Sequence, residues 1–149
     1  MKQFFAIVVI ILSALCSCDT WSSDNGQIDG MWYLSELDSV SNNQSINYRE
    51  RKVFWSFQGT ILQLHSASCP KELEKKYMCA FDYRNNSLRV YSVSLYDRMN
   101  GNHYLSEEEI SEVRKFGINS LDETFRIESL SERVMILKGS KLRLVFEHY

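Results

Sequence analysis

The side chains able to do chemistry here are four cysteines, three histidines and a run of three glutamates. Thiolates and imidazoles at short spacing hold zinc, and positioned carboxylates exchange protons. Cys69 and Cys79 are separated by a charged stretch with no histidine at ligand spacing, a weak zinc signal. His65, His103 and His148 are scattered and read as surface or strand-edge residues. Glu107, Glu108 and Glu109 stand where a helix begins, and a helix N-terminus favours negative charge without catalysis. The chain has no glycine-rich phosphate loop and no G-x-S-x-G elbow. A formal net charge of −2 gives little attraction for nucleic acid. The expectation is a protein without catalytic residues, metal or cofactor.

The first residues read as an address. Lys2 precedes an apolar run over 4–15, broken only by Ser13. That is too short for a membrane span of about 20 residues and fits a signal-peptide core. Leu15-Cys16-Ser17-Cys18 resembles a bacterial lipobox, with Leu15 three residues before the cysteine to be modified. The resemblance implies cleavage of a signal peptide at 1–17 and acylation of Cys18. Each buried methylene of such a chain contributes ~0.8 kcal/mol to anchoring. The protein would then be tethered to a lipid bilayer in the cell envelope. The outer membrane is the expected site, with the domain in the periplasm or at the cell surface. Residues 18–28 read as a flexible tether, polar apart from Trp21 and Ile28. Cys16 leaves with the signal, so Cys69 and Cys79 remain as an even pair in an oxidising compartment. A disulfide between them closes a short loop, worth roughly 3 kcal/mol in the chain-entropy picture; zinc is the alternative.

The elements that position these groups are mostly strands. At 149 residues, with 44% hydrophobic and 24% charged residues, the chain fits one globular domain, expected at 29–149. Period-2 alternation predicts strands at 30–38, 52–58, 60–66, 77–84, 87–95, 124–129, 133–138 and 141–148. Gly59 and Asn85-Asn86 supply tight turns. A helix is expected at 106–116, where Ser106 and Glu109 form a capping-box pattern and Gly117 suits the C-cap. About eight antiparallel strands, mostly joined as hairpins, with one helix suggest an all-β barrel or sandwich; an eight-stranded up-and-down barrel is expected, since its closure removes exposed edges.

Gly30-Met31-Trp32 at the first strand resembles the G-x-W motif of lipocalins. Phe54-Trp55-Ser56-Phe57-Gln58 and the C-terminal Leu142-Arg143-Leu144-Val145-Phe146 resemble the lipocalin-like domains of small Gram-negative lipoproteins. This resemblance implies that Gly30 and Trp32 form the barrel floor, with a last-strand arginine over the indole: Arg143 first, with Arg133 and Arg126 as the alternatives. It also implies a barrel binding a small apolar or amphipathic molecule, in a pocket lined by Trp55, Phe57, Leu62, Leu64, Phe81 and Val90. The helix departs from the lipocalin pattern, since it precedes the final three strands rather than the last alone. The alternative is a filled barrel, acting as a structural or interaction subunit with an envelope protein partner.

Overall fold

The computed structural model describes residues 25–67 and 75–149. Ten strands follow in order: β1 (Gly30–Ser39), β2 (Ser45–Asn47), β3 (Val53–Gln58), β4 (Ile61–Ser66), β5 (Tyr77–Arg84), β6 (Ser87–Leu95), β7 (His103–Tyr104), β8 (Glu123–Leu130), β9 (Val134–Lys138) and β10 (Leu142–His148). Eight of them form a closed antiparallel barrel in the order β1-β3-β4-β5-β6-β8-β9-β10, with β10 pairing back onto β1. These are the eight strands expected from alternation. β2 and β7 are short additions on β1 and β6. They lie outside the stretches expected as strands, because two or three residues are too few to show a period.

Turn chemistry behaves as expected. Asn85 and Asn86 both take left-handed backbone (φ 49° and 59°) between the paired Arg84 and Ser87. Three bulges, by contrast, at Ser35 in β1, Ser92–Val93 in β6 and Glu128 in β8, move side chains to the other face. Ser35 is an extra residue in β1 opposite β10. Before it, Trp32 and Leu34 point inward; after it, Leu37 does and Glu36 does not. The Ser35 hydroxyl donates to the Val145 carbonyl at 3.1 Å. In β6, Ser92 and Val93 together oppose Cys79, and Ser92 is left-handed at φ 52°. Leu88 and Val90 face the core before this bulge, Val93 after it.

The expected helix at 106–116 is instead two 3₁₀ turns, Glu107–Glu112 and Arg114–Phe116. Ile110, Val113 and Phe116 recur every three residues, so a helix of three residues per turn puts all of them on one face. All three are buried. The Glu109 carboxylate accepts the Ser106 N–H at 2.9 Å, as the capping pattern requires. Gly117 ends the segment at φ 87°, and a Cβ there would lie 2.6 Å from Leu144 Cδ2.

Both ends of the barrel are covered. A 3₁₀ turn at Gly26–Ile28 lies below the start of β1, with Ile28 fully buried in the core. The boundary expected at residue 29 is therefore too late: the end of the presumed tether is part of the fold. Residues 105–118 cover the opposite end, bringing Leu105, Ile110, Val113, Phe116 and Ile118 into the same core.

Candidate functional site

The six residues expected to line a ligand pocket do face inward. Trp55, Phe57, Leu62, Leu64, Phe81 and Val90 are all at most 6% exposed. They come together, but around one another rather than around a space. Trp55 lies 5.0 Å from Phe146, 5.9 Å from Phe125 and 6.2 Å from Phe57, centroid to centroid. Phe57 in turn meets Phe81 edge-on at 5.1 Å. The Trp55 indole N–H donates to the Phe116 carbonyl at 3.0 Å, inside the core. Phe116 packs on Tyr77 at 5.7 Å. Thus the 3₁₀ segment enters the barrel mouth and satisfies its central tryptophan. Burial, reinforced by a hydrogen bond to Glu112 at 2.7 Å, pushes the Tyr77 hydroxyl well above its usual range.

The floor differs from the expected arrangement. Trp32 is fully buried and its indole N–H donates to the Ile28 carbonyl at 2.8 Å. Its ring partner is His148, met edge-on at 4.9 Å, and not Arg143. The antiparallel register decides this, because the start of β1 pairs with the end of β10: Trp32 lies opposite His148, while Arg143 lies opposite Asp38. Arg143 also points to the outer face, where it binds Asp38 and Glu128, each at 2.8 Å. Gly30 is required here for a second reason. At φ 107°, a Cβ would stand 2.9 Å from His148 Nε2.

Cys18 and Cys69 lie outside the described residues, so acylation of Cys18 stays a sequence expectation; the Cys69–Cys79 bridge expected from the even cysteine count is not formed, because Cys79 carries no disulfide. Cys79 is a free thiol, 2% exposed, and burial pushes it up to about 12, where it is neither nucleophile nor ligand at neutral pH. Among the described residues no group of three or more His, Cys, Asp or Glu is placed to hold a metal ion.

Two features escaped the sequence. Glu123, at the start of β8, is only 6% exposed. Its Oε2 accepts the Asn119 N–H at 2.6 Å, while Oε1 has no protein partner among the described residues. Burial holds its carboxyl above the usual range, against the hydrogen bonds of Asn119 and Ser120 and the charge of Lys141. Strand alternation puts position 123 inward, but an alternation argument for this strand starts at the apolar Phe125. The second feature is a groove of about 250 Å³ on the outer face of β4, β5 and β6, rimmed by Ile61, Met78, Tyr96 and Tyr104. The groove on β4–β6 and three further surface clefts, beside Asp38, Arg49 and Arg126, are not lined by the six interior positions.

Comparison with known proteins agrees with this architecture. The family model described as a lipocalin-like domain matches residues 12–149. A solved lipocalin-like protein from Bacteroides uniformis superposes with a TM-score of 0.60 at 17% identity, covering 83% of this chain and 100% of its own. An uncharacterized protein from Bacteroides eggerthii does so at 0.56 and 19% identity, covering 81% of this chain and 98% of its own. At such identities the likeness is one of fold. No curated protein matches the chain.

Proposed function

The chain belongs to the lipocalin-like domain family, and from that premise we propose that it is a lipid-anchored, filled barrel that acts through its outer face as an interaction subunit of the cell envelope. Proteins of this family are typically non-enzymatic binding proteins. The observation behind the reading is the seat of Trp55. Its ring is packed among Phe57, Phe125 and Phe146, and its N–H is already taken by Phe116. An apolar ligand entering there would have to displace residues 105–118 and leave a buried indole N–H unpaired, at a cost of about 1–3 kcal/mol for that group alone. Sites for drug-sized molecules enclose ~300–1,000 Å³, and these six side chains pack against one another instead.

The anchor belongs to the same reading. Cys18 precedes Asn25 by seven residues, a reach of at most about 25 Å. Asn25 is fixed at the floor end, where its amide donates to the Gly59 carbonyl at 2.7 Å. The floor would then face the bilayer, and the groove on β4–β6 would lie on the flank. Native mass spectrometry of the full chain, extracted in a mild detergent, tests both parts. The expected species carries acyl chains on Cys18 and no bound apolar molecule. A stoichiometric lipid or other apolar ligand beyond the anchor would overturn the filled-barrel reading, and an unmodified Cys18 would overturn the anchor.

A further inference from the structure

The groove on β4, β5 and β6 is unlike the rest of the outer surface. About a quarter of the chain is charged, yet the groove is lined by no Asp, Glu, Lys, Arg or His. Two tyrosines stand over it, Tyr96 at 43% exposed and Tyr104 at 67%. Thr60, Ser92 and Asn102 add neutral hydroxyl and amide groups. Among the described residues the side chains of Ser92 and Asn102 bond to no protein group, so their donors and acceptors are available. The backbone is also unusual at this place. Ser92 takes φ 52° within a strand, at the bulge opposite Cys79. A non-glycine residue held left-handed is costly and tends to persist where it shapes a site. Here the bulge breaks the flat outer face, and β7 sets Tyr104 beside Ser94 at its edge.

We infer that this groove binds a neutral sugar unit, one ring of an uncharged oligosaccharide, which deepens the proposal that the barrel acts through its outer face. A sugar ring has one apolar C–H face and a rim of hydroxyls. Tyrosine offers the first an apolar ring with a polar tip, and Ser92, Thr60 and Asn102 offer the second both donors and acceptors. At about 250 Å³ the groove is smaller than sites for drug-sized ligands and suits one ring, with neighbours extending along the surface. Anions find no cation in the lining, and cations find no carboxylate. An extended peptide finds no strand edge to join: β5 is paired by β4 and β6, and β7 offers only two residues.

The test is calorimetric titration of the full chain, held in a detergent without a sugar headgroup, with maltotetraose, N-acetylchitotetraose and, as the anionic counterpart, tetragalacturonate. One neutral tetrasaccharide should bind at millimolar concentration or below, and better than the anionic one. Tyr96→Ala and Tyr104→Ala should each weaken it about three- to tenfold, the loss of one aromatic contact. Tyr149→Ala, which removes an exposed tyrosine far from the groove, should leave it unchanged. The inference fails if neither neutral sugar binds, if tetragalacturonate binds more tightly, or if the Tyr96/Tyr104 double variant binds like the parent. An envelope protein that crosslinks at Tyr104 while no sugar binds also overturns it. Uptake of N-phenyl-1-naphthylamine by the native interior would instead sink the filled-barrel reading, leaving the tyrosine variants to judge the groove separately.

Discussion

Trp32 and Trp55 lie opposite each other across β1 and β3, both without exposed surface. Each donates its indole N–H to a main-chain carbonyl, yet the two ends of the barrel they serve are closed differently. The acceptor for Trp32 is Ile28, four residues away; the acceptor for Trp55 is Phe116, 61 residues away. The floor is a local cap, since its turn and its tryptophan belong to one stretch of chain. The plug is a distant segment returned to the barrel after β3, β4, β5 and β6. Bringing such a segment back costs loop-closure entropy, which grows slowly with length. It is offset by the burial of Ile110, Val113 and Phe116 along one 3₁₀ face. An interior closed in this way has its central polar group satisfied by the protein itself.

The sharpest way to break the comparison is at the plug. Phe116→Ala should lower stability by ~3–5 kcal/mol, measured by denaturant unfolding, since a fully buried ring is lost between Tyr77 and Trp55. The variant should also take up a small apolar dye more strongly than the parent does. A loss below ~1 kcal/mol with no dye uptake would mean that residues 105–118 do not close the barrel. At the floor, Ile28→Ala should cost about 2 kcal/mol, the low end for such truncations, because a terminal turn can settle into the space. If it cost as much as Phe116→Ala, the contrast between local cap and distant plug would lose its energetic meaning.

The smallest expected effect concerns pH at the plugged end. The folded state holds the Glu123 carboxyl above its usual range, so the native protein binds its proton more tightly than the unfolded chain does. The stabilisation this gives is complete below the unfolded carboxylate range and is lost as pH rises through the raised folded value. Glu123→Gln stays neutral throughout and can keep the bond from the Asn119 N–H. Its melting temperature relative to the parent should therefore be more favourable at pH 7.5 than at pH 4.5. The opposite slope would mean that Glu123 is ionised and stabilised in place.

Where the chain shows a clear period, sequence and structure coincide. All eight barrel strands were legible because each alternates over five or more residues, and the Asn85-Asn86 turn because asparagine tolerates left-handed backbone. The inward set Trp55, Phe57, Leu62 and Leu64 was legible for the same reason. The face of Leu37 and of Val93 was not. One extra residue at Ser35 or at Ser92–Val93 reverses inside and outside without changing composition. Arg143 was misassigned because a last-strand arginine is visible in sequence but its register is not. The 3₁₀ path of 107–116 was foreshadowed by apolar residues exactly three apart, which an α-helical reading passes over.

By itself, the sequence determined the strands and their turns, because alternation and turn preference are local properties of the chain; closure into a barrel rests on the long-range pairing of β10 with β1. It also determined that Trp32 and Trp55 would be buried. Only the tertiary structure decided what they would meet: Ile28 and His148 for one, Phe116 for the other. The packing around Trp55 and the uncharged groove belong to that second class. Both depend on register, bulges and the return of a distant segment, which are set by how the whole barrel packs.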